Sequence, residues 1–543
     1  MKWFCIPAAL VLSACSFVGS VVETTGISGL VLFDSQIAAL GYNIKAVHIF
    51  TREGQPIVSV EPVVVYKPLP PYVDYITWEA EVPAPLGTPI TFWVEFFDSA
   101  TRTVYFGQAQ EDIITNGNSY CWNIVSLYIP IRNEADLKSI GYDPRFLPNK
   151  NYILLNDIFL TNKLTPLCSN RIPFSGIFDG NGHTIHNVDF NVENIQFVGL
   201  FGVIKDAFIK NFTIEFSGTL LELGGMRTQY AGIVAGIAER SRIEKISVKR
   251  AETENPTPLN IIKSDTTDFF WGGLVGLIAC DYVGAFTYES VYVTISACSL
   301  QLPIYITLNY SYNGPGDLFV HIGGLVGSNG PYYNANNNHW GVGYWELITH
   351  IEKSYALFDI GVHYNYNHVV DANYLKLYLG GILGSVDSMD MSGINLTIEE
   401  VFFAGNINVN VIENINQSIG LVTGGILGGS RNNQFINIDR AIVLTKRIDF
   451  IRDQPGSVAS MIAGSVNPTK TSCNYVYSAS GFIVNPEALW QSSTSSINGQ
   501  TIDRDQVNEI FFRNSVSTGG LAWDFQRTWR WSSIRGCPVF RWE

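Results

Sequence analysis

Few side chains in this sequence combine the type and the spacing that chemistry needs. The nearest to a cluster are Asp179, His183 and His186. A carboxylate beside imidazoles is the material of an acid–base site. Yet Asp179-Gly180-Asn181-Gly182 is also what a tight turn needs, because Asp and Asn side chains bond nearby backbone and Gly tolerates left-handed corners. The turn is the preferred reading. Asp387-Ser388-Met389-Asp390 could ligate a cation, but it reads better as a solvated loop. There is no HExxH, GxSxG, Walker loop or dinucleotide fingerprint. No catalytic residue, metal ligand or cofactor is expected.

Aromatic side chains are the second candidate. Three insertions, Ile304–Asp317, Asn329–Trp345 and His363–Tyr374, are rich in Tyr, Trp, Asn and His and poor in Lys and Glu. Flat rings beside amides suit sugar stacking or a protein contact. The candidate ligand contacts are Tyr332, Tyr333, Trp340, Tyr344, Trp345, Tyr364 and Tyr366; packing over loop backbone is the competing reading.

The third candidate is Cys15. Residues 1–15 read MKWFCIPAALVLSAC, one Lys before a short apolar run. The run is too short to span a bilayer and fits a cleaved signal. Leu12-Ser13-Ala14-Cys15 resembles a bacterial lipobox, which implies lipidation of Cys15 and a place in the cell envelope. Ser16 after the Cys favours the outer membrane. Disulfides persist in an exported protein. Cys121, Cys168, Cys280, Cys298, Cys473 and Cys537 follow without CxxC or zinc spacing. Buried thiols are the default, with a Cys280–Cys298 bridge as the one pairing considered.

These residues must be positioned by the rest of the chain. From Phe174 to Gly202, short runs with apolar residues at alternate positions are broken by Gly, Asn and Asp. Period two argues for strands, too short and close for helices between them. Gly199-Leu200-Phe201-Gly202 recurs as Ala231–Gly236, Gly272–Gly276, Gly323–Gly327, Gly380–Gly384, Gly424–Gly428 and a degenerate Met461–Gly464. The spacing of roughly 34 to 57 residues is in the range of solenoids. A half-buried strand follows each copy, as in Ile243–Val248, Ile351–Ala356 and Ile398–Phe403. Such units share a core only when stacked.

FDGNGHTI at 178–185, GLFG at 199–202 and the GG(L/I)xG series resemble the GLUG-motif repeats of bacterial surface proteins. The resemblance covers roughly residues 130–543 and implies a right-handed parallel β-helix. Some such regions accompany IgA-cleaving metallopeptidases; without HExxH, that enzyme part is not expected here.

Residues 26–129 differ in texture. Strand-like runs at Gly29–Phe33, Lys45–Thr51, Ile57–Tyr66, Tyr75–Glu81, Ile90–Phe97, Thr103–Phe106 and Cys121–Tyr128 suggest an Ig-like or fibronectin-like β-sandwich. The expected layout is a signal and lipobox over 1–15, a linker over 16–25 and the sandwich over 26–129. An N-terminal cap follows over 130–173, with a short helix after Asn133, then repeats over 174–484 and a Trp-rich C-terminal cap over 485–543.

The 543 residues carry a net charge of −14, which argues against a general nucleic-acid binder. Only 15% are charged and 13% are aromatic, which suits an extended all-β protein with a large core. The functional expectation is a surface-exposed, lipid-anchored monomer acting as an adhesin or recognition scaffold for a host or matrix protein or a glycan. A polysaccharide lyase or glycosidase on the same scaffold is the first alternative, and a structural envelope protein the second.

Overall fold

A computed structural model describes residues 128–543 apart from 144–145, 169–171, 225–227, 252–255, 265–267, 281–289, 311–316, 332–345, 358, 367–373, 388–392, 413–418, 432–433, 446, 451–457, 482 and 486–498. It also describes the backbone of the strands between Thr25 and Leu127. The chain divides into two compact units, Met1–Tyr128 and Ile129–Glu543.

In the first unit every described pairing is antiparallel. Asp74–Val82 pairs with Thr25–Leu32 and with Val65–Pro68. Asn43–Thr51 pairs with Pro56–Val60 and Pro89–Phe97, and the latter with Thr103–Gln108. The single strand expected over Ile57–Tyr66 is two strands in different sheets, one ending at Val60 and the other starting at Val65. Pro62 stands between them and has no N–H to give a ladder.

The second unit is a stack of parallel coils. One coil runs through Ser290–Ser296, Ser299–Gln301, Ile304–Tyr310, Asp317–Gly323 and Val326–Pro331. The next repeats it as Glu346–Glu352, Tyr355–Leu357, Ile360–Tyr366, Tyr374–Gly380 and Leu383–Asp387. Each strand pairs in parallel with its counterpart one coil on. The coils thus form five ladders, numbered one to five in that order. Ladders three, four and five each contain seven strands. The unit expected from the sequence had a corner, a loop and one strand. Ladder three was hidden in what reads as insertions: Ile304–Tyr310 and Ile360–Tyr366 are its strands, not loops.

The inward residues of ladder one are Ile209, Ile243, Ile295, Ile351, Ile398 and Ile438, all fully buried and in register. Burying each such side chain contributes roughly 1.5–3 kcal/mol. Ladder two turns Leu300, Ala356, Phe403 and Val443 inward, opposite the glycine corners between ladders four and five. A methyl group added at Gly273 would stand 2.3 Å from Leu300 Cδ2, and at Gly425 2.7 Å from Val443 Cγ1. Where a corner has a second glycine, it lets the next coil's carbonyl and a cross-core side chain both approach its backbone closely.

Between ladders one and two the chain turns on a single left-handed residue. Asn211, Lys245, Ala297, Lys353, Glu400, Arg440 and Tyr475 all have φ between 46° and 66°. The ladder bonds continue through this corner: Lys353 N donates to Glu399 O at 2.9 Å and Arg440 N to Asn474 O at 2.9 Å. Coil-to-coil bonding holds residues there that would avoid this conformation alone.

The ends behave differently from each other. Before the first coil, helix Glu134–Ser139 is capped by Asn133, whose Oδ1 accepts from Asp136 N at 3.0 Å. Its Leu137 is fully buried. The tail was expected to close the far end of the stack. Gln500–Ile502 adds one further strand to ladder two beyond Tyr477–Ala479, and the tail after it runs back along the flank of that ladder. From Tyr355 onward that ladder is apolar on its outer side as well, through Tyr355, Phe402, Ile442 and Tyr477 in register. Phe511, Phe512, Leu521, Trp523, Trp529 and Phe540 cover it. The covering stops where the flank turns polar: Glu543 Oε1 accepts from Ser299 Oγ at 2.6 Å and Gln301 Nε2 at 3.0 Å.

Candidate functional site

Three places on the second unit bring polar groups together. The first is on the opening coils. Asp157, between strands Asn151–Leu154 and Ile158–Phe159, lies one coil from the histidines. Its Oδ1 accepts from Thr184 N at 2.9 Å and lies 3.1 Å from His183 Nδ1. The Thr184 N–H, and then His183, hold the Asp157 carboxyl below its usual range. His186 Nε2 is 3.8 Å from Asp157 Oδ2, and its Nδ1 bonds Glu215 from the following coil. The imidazole is stacked on Phe159 at 4.3 Å. Two carboxylates thus flank one imidazole whose ring is fixed, an arrangement able to move a proton. It sits on an open flank; Asp157 is 49% exposed.

Asp179 does not join it. Its Oδ1 accepts from Asn181 N at 2.8 Å and its Oδ2 pairs with Lys210 at 3.0 Å, which is the turn role expected of it. Among the described residues no group of three or more His, Cys, Asp or Glu side chains has metal-holding geometry.

The second place is a cavity of about 330 Å³ on the outer side of ladder one, lined by Asn151, Ser175, Asp206, Phe208, Arg240, Arg242 and Tyr292 among others. Arg240 holds Asp206 bidentately, at 2.6 and 3.0 Å, and pairs with Glu239 at 3.1 Å. That guanidinium keeps the Asp206 carboxyl below its usual range. Arg242 pairs with Glu244 at 2.6 Å and lies 5.0 Å over the Phe208 ring. Tyr292 is 62% exposed at the rim.

The third is under the tail. Arg440 contacts Glu400 at 2.7 Å, Asp439 at 3.1 Å and also Glu399. Burial lifts the Glu400 carboxyl to about 7, with Lys353 opposing. Trp523 Nε1 donates to Arg440 O at 3.1 Å, so this charged corner is sealed by the tail.

Of the aromatic candidates, Tyr332, Tyr333, Trp340, Tyr344 and Trp345 lie outside the described residues, as does Cys15. Tyr364 is on a ladder-three strand and only 3% exposed, so it is a packing residue and not a loop contact. Tyr366 ends the same strand, and only its backbone is described. Asp387 is a buried strand end, 8% exposed, not a solvated loop residue. Cys280 and Cys298 are buried thiols with no bridge between them. Burial pushes the Cys298 thiol up to about 12.

Sequence reasoning missed Asp157, Glu215, Arg242 and Tyr292. Asp157 and Glu215 meet the histidines across coils, so no short spacing marks them. The usable signal was the coil register itself, which puts His186 opposite Phe159.

No protein-family model matches the sequence, and no curated protein matches it either. Among solved structures, a crystal structure titled "putative immunoglobulin A1 protease" from Bacteroides ovatus is similar. It is 15% identical, with a TM-score of 0.41, over 77% of this chain and 93% of that one. A likeness at that score fixes neither fold nor activity.

Proposed function

We propose that this chain is a cell-surface recognition scaffold: a lipoprotein anchored through Cys15, an Ig-like module, and a right-handed β-helix of GLUG type. It acts as an adhesin for a host or matrix protein or a glycan. One observation carries the reading. Most of the longer stretches between described strands fall at two corners of the coil; another separates Lys249 from Leu259 between ladders two and three. Between ladders three and four they separate Tyr310 from Asp317 and Tyr366 from Tyr374. Between ladders five and one they separate Cys280 from Ser290 and Pro331 from Glu346. A regular stack whose spacer lengths vary mostly at set corners is the pattern of a scaffold presenting loops. The aromatic, Asn-rich composition of 332–345 suits ligand contact.

The test is binding of the full chain to matrix-protein and glycan arrays, with residues 332–345 deleted in parallel. The deletion must spare Asn329, whose buried Oδ1 accepts from Thr349 Oγ1 at 3.0 Å. Loss of binding with an unchanged melt is the expected outcome; unchanged binding refutes the loop assignment.

The Asp157–His186–Glu215 arrangement favours one second reading, a polysaccharide-degrading enzyme. Reducing-end and unsaturated-product assays with His186→Ala would show it; activity that the substitution leaves intact would exclude these residues.

A further inference from the structure

The cavity on ladder one is separate from the loops, and its chemistry is specific enough to name a ligand class. We infer that it binds a neutral saccharide, with one sugar ring against Tyr292 and its hydroxyls on the rim formed by Asn151, Ser175, Asp206 and Arg242. Four features point there. The volume of about 330 Å³ is at the lower end of small-molecule sites, near 300–1,000 Å³. Tyr292 holds a large flat ring in solvent at 62% exposure on a strand paired with Ile348 at that residue and with Arg242 from Thr294 on. Such a ring on a rigid element is an aromatic platform that loses little freedom on binding.

The cations are already answered. Arg240 is shared between Asp206 and Glu239, and Arg242 is paired with Glu244. An anionic ligand would have to break these pairs and would meet their carboxylates. A polyhydroxy ligand need not, because a paired guanidinium and carboxylate still offer unused N–H groups and lone pairs at their edges. The polar side chains are also held in place: Asn151 Oδ1 accepts from Ile177 N at 3.0 Å, and Asp206 is clamped by Arg240 Nε and Nη2. A fixed rim of donors and acceptors around one ring is the layout that orients hydroxyls without net charge.

The experiment is affinity electrophoresis of the full 543-residue chain in native gels containing dextran, mannan or a mixed-linkage β-glucan, with hyaluronan and heparin as anionic gels. Retardation by at least one neutral polymer is expected. Tyr292→Ala weakens it about tenfold or more, while Tyr292→Phe keeps the ring and the binding. Both variants melt with the parent, because the side chain is exposed. No retardation by any of the neutral polymers, retardation confined to the anionic gels, or retardation that Tyr292→Ala leaves intact would each overturn the inference. The site uses coil flank and not the inserted loops, so its failure leaves the loop reading standing, and the reverse holds.

Discussion

The sharpest test of the coil geometry is a single methyl group. Gly381 is the second glycine of its corner, and a Cβ there would stand 2.1 Å from Gly425 O and 2.3 Å from Phe403 Cγ. Overpacking a core costs about 1–3 kcal/mol when side chains can shift. Here one obstacle is the carbonyl of the next coil, which cannot swing aside, so Gly381→Ala is expected to cost about 3 kcal/mol. Gly393 is the control. It opens a ladder-one strand, and an added Cβ would meet only Glu346 Cγ at 3.9 Å. Gly393→Ala should be neutral or stabilising by up to about 1 kcal/mol, because it narrows the unfolded ensemble. Urea melts followed by far-ultraviolet circular dichroism compare the two midpoints. Adding Phe403→Ala to Gly381→Ala should not restore stability, since the Gly425 carbonyl remains. Equal midpoints for Gly381→Ala and Gly393→Ala would refute the claim that these glycines exist for close backbone approach.

Two further outcomes follow from the tail. Trp529 is fully buried, stacked on Trp523 at 4.8 Å and Phe540 at 4.7 Å. Trp529→Ala should cost about 3–5 kcal/mol and open residues 503–543 to protease before the coils are cut; a tail that stays resistant would contradict its role as cover. Glu400 gives a pH dependence. Its carboxyl titrates at about 7 in the fold against an ordinary 4.5. The folded state therefore holds a proton that the unfolded state has lost, and stability falls as pH rises from 4.5 to 7, by up to about 3 kcal/mol. Glu400→Gln should flatten that slope in melts taken across the range; an unchanged slope would remove Glu400 as its source.

Much of this architecture is legible in the sequence, for physical reasons that differ by element. The glycine corners stand out because no other residue fits between Gly425 O and Phe403. The isoleucines of ladder one are visible as period two. The left-handed corner is not, because it is occupied by Asn211, Lys245, Ala297, Lys353, Glu400, Arg440 and Tyr475, residues with no shared preference. Coil-to-coil bonding overrides local propensity there. Ladder three reads as loop because its strands carry polar and aromatic residues such as Tyr305, Asn309 and Tyr364. The two-sided burial of ladder two was legible in Val401-Phe402-Phe403 only to a reader who knew that the tail returns. The polar clusters were half visible: His183 and His186 are close in sequence, whereas Asp157 and Glu215 reach them only through the stack.

The tail also changes how the stack comes apart. A pile of coils touching only nearest neighbours frays from its ends, one layer at a time. Here Glu543 is tied to Ser299, 244 positions earlier, and Trp523 to Arg440. Loosening any layer between Ser299 and Tyr477 must therefore peel the strap from several others at once. Stretched or heated, that part of the stack should resist and then yield in a single step, like sticks held by one cord.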